Sequence, residues 1–317
     1  MAPWRNPNAR RAIRALSDLF APVTGLIVRG YMGFLRMIGP DRASAMGGFL
    51  MRKLGPLVPA HRTAKRNLEA VFPEKSEEER ARILRDSWDN LGRTMTEYPF
   101  LQELMDFDYH TPERRGRTDV VGVDQFISLL DHKKPAIIFA AHLGNWELPG
   151  VAAARYGLDT TIVFRPPNNK AVARAIEIVR GAAMGRLLPS GPGAANAMVG
   201  VLERGGRLAM LADQHLTRGL VVSFMGRSAL VNPVLGKLAQ RFDCPVHGAR
   251  CVRLPGGRFR LEITPPLDLP RDEEGHVDVE GAMRAITAVI EGWVREHPEQ
   301  WLWQHRRWRV PVAPVQG

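Results

Sequence analysis

Cysteine is nearly missing from the 317 residues, with Cys244 and Cys251 the only two. They lie seven positions apart with no CxxC and no paired histidine spacing, so neither a zinc site nor a disulfide framework organises the chain. Placed in a strand, that odd spacing puts the thiols on opposite faces, and both are expected as buried, reduced groups in a cytosol-facing protein. Aromatic residues make up 7% and are scattered. No helix-turn-helix, RNA-recognition or zinc-finger pattern accompanies them, which argues against nucleic acid as a partner. A GxSxG elbow is absent, and neither cysteine adjoins a histidine-bearing motif, although His247 follows Cys244 by three. A covalent intermediate on serine or cysteine is not required.

Acidic residues are the scarcer charge: 33 Asp and Glu stand against 44 Lys and Arg, a formal net charge of +11. An excess of that size points to a polyanionic partner, and without nucleic-acid motifs the phosphate-rich face of a membrane fits better; a solvated basic surface is the plain alternative. Long hydrophobic runs are lacking too. The apolar stretch from Leu16 to about Met51 comes after Arg5, Arg10, Arg11 and Arg14, and its longest uncharged run, Leu19 to Val28, is ten residues. A spanning helix needs about 20. Arg29 and Arg36 interrupt the rest of the stretch, and no small-residue cleavage site closes it, so it reads as a helix lying in the membrane interface with arginines reaching phosphates. An ordinary amphipathic helix packed on the domain is the alternative.

The chain divides into three parts: a membrane-associating helical segment over 1–60, a helical subregion over 61–110 and an α/β domain over 111–317. In the second part Ala64 to Val71 reads as a helix ending at Phe72-Pro73, and Ser76-Glu77-Glu78-Glu79 as a capping box opening the next helix toward Tyr98. Beyond a charged loop from Pro112 to Thr118, short apolar runs alternate with helical periods, which predicts an α/β fold with a central, mostly parallel or mixed sheet flanked by helices. The predicted strands are Ala136–Ala141, Thr160–Phe164, Leu187–Leu188, Arg207–Ala212, Pro245–Val252 and Arg258–Thr264. Helices are expected at about Trp146–Tyr156, Lys170–Met184, Ala194–Arg204, Pro233–Phe242 and Val279–His297, with glycine and proline turns at Ser190–Gly193 and Leu254–Gly257.

The sharpest local feature is the apolar run Pro135 to Ala141 with His142-Leu-Gly-Asn-Trp-Glu147 directly after it. The run reads as a buried strand and the Gly144-Asn145 pair as a sharp turn, so His142 stands at a strand's C-terminal end, where open α/β sheets place ligands. Glu147 comes five residues later, within reach of the imidazole. An imidazole oriented by a carboxylate can take a proton from a hydroxyl, which suits O-acyl transfer. A histidine ending a strand beside a glutamate starting a helix is the structural alternative.

His142-Leu-Gly-Asn-Trp-Glu147 resembles the HX4E motif of bacterial lipid A biosynthesis (lauroyl or myristoyl) acyltransferases, relatives of the glycerolphosphate acyltransferases. The resemblance continues in order through Arg66-Asn67-Leu68 with Phe72-Pro73, Phe164-Arg165-Pro166-Pro167-Asn168-Asn169, Met210-Leu-Ala-Asp213-Gln214, Phe224-Met-Gly-Arg227 and Pro298-Glu-Gln-Trp-Leu-Trp303-Gln-His-Arg306-Arg307-Trp308. It implies that His142 is the general base and Glu147 its orienting partner. It implies substrate-binding roles for Arg165 and Asn168, for Asp213 and Gln214 in the same cleft, and for Arg227, Arg306 and Arg307 on lipid or carrier phosphates. Trp301, Trp303 and Trp308 are expected in the core. The implied reaction moves a fatty acyl chain from an acyl carrier protein thioester to a hydroxyl of a phosphorylated glycolipid, a lipid A precursor, at the cytoplasmic face of the bacterial inner membrane, with no cofactor and no metal. Another glycolipid or a lysophospholipid as acceptor, and a non-catalytic basic membrane-binding protein, remain as alternatives.

Overall fold

The computed structural model describes residues 21–108, 116–132, 134–167, 170–216 and 219–308. Helices fill the first of these segments: α1 (Ala21–Ile38), α2 (Pro40–Leu54), α3 (Pro59–Val71), α4 (Glu77–Glu97) and the single turn α5 (Leu101–Leu104). The starts of α2 and α3 carry proline in the first turn, where its missing N–H costs nothing. The expected capping box opens α4: the Ser76 hydroxyl accepts from the Glu79 N–H while the Glu79 carboxylate accepts from the Ser76 N–H. Such a cap is worth about 1 kcal/mol. One face of α4 packs on α2 so closely that a Cβ on Gly92 would lie 2.1 Å from the Gly47 carbonyl oxygen. Among the described residues no helix is long and apolar enough to cross a membrane.

The sheet begins at β1 (Thr118–Val121) and continues with β2 (Ala136–Ala140), β3 (Thr160–Phe164), β4 (Arg186–Pro189), β5 (Arg207–Leu211), β8 (Val246–Leu254) and β9 (Arg258–Ile263), in the spatial order β1-β9-β8-β2-β5-β3-β4. All neighbouring pairs are parallel except β8 with β9, which the Pro255–Gly257 turn joins as an antiparallel pair. The mixed, helix-flanked sheet expected from the sequence is therefore present. Between the strands lie α6 (Val123–Asp131), α7 (Leu148–Arg155), α8 (Lys170–Met184), α9 (Ala194–Glu203) and α10 (Val234–Phe242), and α11 (Val279–Glu296) comes after the last of them. Large side chains of the main core, such as Phe139, Leu208, Leu235, Ile286 and Trp301, are almost fully enclosed. Each contributes roughly 1.5–3 kcal/mol relative to exposure.

Three features depart from the expectations. Strand β1 and helix α6 come after the charged loop without having been predicted, because a four-residue edge strand carries little pattern. A separate hairpin, β6 (Leu220–Phe224) with β7 (Arg227–Val231), occupies a stretch read only as a motif. Its turn residues Met225 and Gly226 both have positive φ (56° and 70°), the backbone that matches strand twist in two-residue hairpins. Cys244 precedes β8 rather than sharing it with Cys251; both thiols are free and buried.

Candidate active site

Strands β2 and β5 pair in register, Ala140 opposite Leu211, and the Ala212 N–H donates to the Ala140 carbonyl at 2.9 Å. Two residues past that rung on each strand stand His142 and Asp213. The Asp213 carboxylate accepts the His142 backbone N–H through Oδ2 (2.8 Å) and meets the imidazole Nδ1 through Oδ1 (2.8 Å). The Trp301 indole N–H donates to Oδ2 as well, at 2.8 Å. Burial raises the carboxyl's pKa, but the His142 charge and hydrogen bonds outweigh it and hold the group well below the ordinary carboxylate range. An acceptor locked on Nδ1 fixes the tautomer with the proton there and leaves Nε2 as the basic nitrogen. Gln214 faces that nitrogen, its amide Nε2 3.2 Å away.

Glu147, the orienting partner expected from its nearness in sequence, is engaged elsewhere. Its carboxylate accepts from the Arg180 guanidinium (2.9 and 2.5 Å) and from the Tyr98 hydroxyl (2.6 Å). Asp213 takes the place at the imidazole. Burial pushes the Tyr98 hydroxyl well above its ordinary pKa and the Glu147 charge adds to it, so the phenol stays a donor. For Arg180, burial works against the charge and the Glu147 carboxylate overrides it, raising its pKa. Neither Tyr98 nor Arg180 was singled out from the sequence. Arg180 did leave a trace: it sits four residues after Ile176 and four before Met184, a charge on the apolar stripe of its helix.

His142, Glu147, Arg165, Arg180 and Gln214 border a cavity of about 390 Å³ that runs between the sheet and α7. Its floor is apolar, with Ile138 and Ala140 from β2, Ala209 from β5 and Ala249 from β8, and Leu261 and Ile263 of β9 reach it too. The size falls within the range of small-molecule sites, and the lining is mostly apolar, with His142, Glu147, Arg180 and Gln214 among its polar groups and Arg250 and Glu262 contributed by β8 and β9. Such a space accepts a greasy chain with a reactive group at one end.

The remaining predicted residues divide. Asp213 and Gln214 join His142, and exposed Arg165 borders the cavity. Asn168 lies outside the described residues. Arg227 and Arg306 do not line the cavity, and Arg306 is exposed. Arg307 is 1% exposed, stacked 4.9 Å from the Phe224 ring, with Nη1 donating to the Leu230 carbonyl. Burial lowers its pKa to about 10. A guanidinium so enclosed, packed on Phe224, does not meet a phosphate at the surface. Trp301 and Trp303 are core residues as expected, and Trp308 stacks on Phe224.

A family model described as bacterial lipid A biosynthesis acyltransferase matches residues 18–310. The chain belongs to that family. The chain is 27% identical over 263 residues to the lipid A biosynthesis palmitoleoyltransferase of Escherichia coli K12, covering 79% of each chain. It has the same identity and coverage with the lipid A biosynthesis acyltransferase of Shigella flexneri. It is also 25% identical over 200 residues to the phosphatidylinositol mannoside acyltransferase of Mycolicibacterium smegmatis, covering 62% of this chain and 64% of that one. It is accordingly an acyltransferase, and the cavity ending at His142 is its candidate active site.

Proposed function

We propose that this acyltransferase moves a fatty acyl chain from an acyl carrier protein thioester to a hydroxyl of a phosphorylated glycolipid, a lipid A precursor, with His142 as general base and Asp213 as its orienting carboxylate. The single observation that carries the reading is the meeting of the His142–Asp213 pair with one end of an apolar cavity. The acceptor hydroxyl gives its proton to Nε2 of His142 as its oxygen bonds to the thioester carbonyl carbon. The tetrahedral intermediate collapses with cleavage of the C–S bond, and the departing thiolate takes the proton back from Nε2–H. The charge of Asp213 stabilises the imidazolium between the two steps. Arg165 at the cavity edge is suited to a phosphate or to the developing oxyanion. Glu147, neutralised by Arg180, builds the wall beside the imidazole.

The net charge of +11 suits an acidic carrier protein and a phosphorylated acceptor alike. An anionic membrane surface at the cytoplasmic face of the inner membrane is the third proposed partner. Leu26 (71% exposed) and Met37 (79%) on α1 and Leu57 (78%) in the turn after α2 point large apolar side chains outward, with Arg29 and Arg36 along the same helix. That combination favours a helix resting at the headgroup level rather than one crossing the bilayer.

The test is radiolabelled acyl transfer from a set of acyl carrier protein thioesters to a purified tetraacylated precursor. Product is expected with the wild-type chain and a loss of about 10²–10⁴-fold in His142→Ala, the usual worth of base catalysis. Near-normal turnover in His142→Ala overturns the base assignment. Acylation of lysophosphatidate or of a mannosylated phosphoinositide, with none of the precursor at any chain length, overturns the acceptor.

A further inference from the structure

The turn that carries His142 and Glu147 into the cavity is held from behind by a buried ion pair that touches no substrate space. Glu97, at the last turn of α4, is enclosed together with Arg253 at the end of β8. Its Oε1 accepts from the Ser44 hydroxyl of α2 (2.7 Å) and from Arg253 Nη1 (2.6 Å). Its Oε2 accepts from Arg253 Nη2 (2.9 Å) and from the Asn145 amide Nδ2 (2.8 Å). Four donors leave the carboxylate no spare capacity, so it is not an acid or base for the reaction. Burial raises its pKa, but the Arg253 charge and the hydrogen bonds prevail, and the group stays ionised.

We propose that Glu97 is a positioning residue for acyl transfer: it fixes which way the Asn145 amide faces, and that amide sets the turn between His142 and Glu147. The inference rests on the reading of His142 as the base. A carboxylate can only accept, so Asn145 must present its NH2 to Glu97, and its carbonyl oxygen is left to receive the Glu147 N–H at 3.2 Å. Turned the other way, the amide would set oxygen against carboxylate and NH2 against N–H. Asn90 Nδ2 (3.0 Å) and the Thr94 hydroxyl (3.1 Å) grip the Gly144 carbonyl, and the Leu302 N–H donates to the His142 carbonyl (3.1 Å); none of the three reaches Glu147. Asn145 is fully buried between the two carboxyl-bearing residues, and it alone connects Glu97 to the backbone of Glu147. Stability by itself does not call for a charge here, because buried ion pairs are commonly replaceable by apolar groups of like volume without loss.

Exchanging the polarity of the two residues tests the proposal. Glu97→Gln places a donor where Arg253 and Asn145 already donate, and Asn145→Asp opposes two carboxylates. In the double variant Glu97→Gln/Asn145→Asp, the new NH2 faces the new carboxylate, whose second oxygen still accepts from Glu147 N–H. Each single variant is expected to lose at least about tenfold in kcat with the donor KM unchanged, and the double to regain about tenfold over the poorer single, within the coupling range of touching residues. Wild-type kcat in both singles, or a folded double variant no faster than the poorer single, overturns the proposal. Should Glu97→Gln fail to fold by circular dichroism, Asn145→Ala keeps the Glu97–Arg253 pair whole; a lowered kcat in it supports the proposal and a wild-type kcat overturns it. Wild-type turnover in Asn145→Ala beside an inactive His142→Ala defeats this inference alone. Activity in His142→Ala defeats the reading beneath it.

Discussion

A carboxylate seventy-one positions away, not one five positions away, orients the base, and the cause is register. Ala140 pairs with Leu211 across two parallel strands, so the residues two further along each strand emerge side by side. Asp213 was legible as an acid ending an apolar strand; its partner was not, because neighbourhood between strands is not written in either strand. Asp213→Asn, which keeps shape and removes charge, is expected to lower kcat by about 10²–10⁴-fold with the donor KM little changed, measured by steady-state acyl transfer. A second residue-scale outcome concerns His305. Burial is the main reason its pKa is lowered to about 4; Asp213 nearby opposes the shift, and His142 and Arg307 add to it. The unfolded chain takes up that proton near pH 6.5 and the folded one only near pH 4, so stability falls as pH drops through this window and the loss is complete below about 4. Thermal unfolding from pH 7 to 4 is expected to show a smaller drop in Tm for His305→Gln than for the wild type.

At the scale of elements, periodicity predicted α8, α9, α10 and α11 within two residues of their ends, because each carries apolar residues at helical spacing. Strand β1 and the β6–β7 hairpin escaped because one is short and the other turns on Met225-Gly226 rather than an asparagine-glycine pair. The cavity arises from three small residues on adjacent strands, Ala140, Ala209 and Ala249, beneath α7. Alternating apolar patterns announce a buried face but not how deep the space above it is. Ala209→Leu fills part of that space. Donors with long acyl chains are expected to lose kcat/KM by tenfold or more while short chains keep theirs, since each lost methylene contact is worth about 0.8 kcal/mol. A chain-length series of thioesters measures it, and an unchanged preference would remove this cavity as the acyl site.

Across the whole molecule, the helical region, the sheet and the C-terminal segment close on one another at the site: Glu97 comes from the first, His142 and Asp213 from the second, and Trp301 from the third. The two thiols report on that closure. Burial raises the pKa of Cys244 to about 11 and of Cys251 to about 12, so thiolate is scarce as well as hidden. Alkylation with mass-spectrometric readout is expected to modify neither in native buffer and both along the global unfolding curve in guanidinium chloride; rapid native labelling would show that the closure is looser. The sequence by itself determined the helix-flanked sheet, the strand end bearing His142, the interrupted apolar start and the family, because these are set by patterns within short stretches. Only the tertiary structure decided that Asp213 serves His142, that Arg180 and Tyr98 hold Glu147, that Arg307 is enclosed and that Glu97 stands behind the turn. Each of those is a contact between segments far apart in the chain, and strand order and helix docking, which local patterns do not encode, determine which distant residues meet.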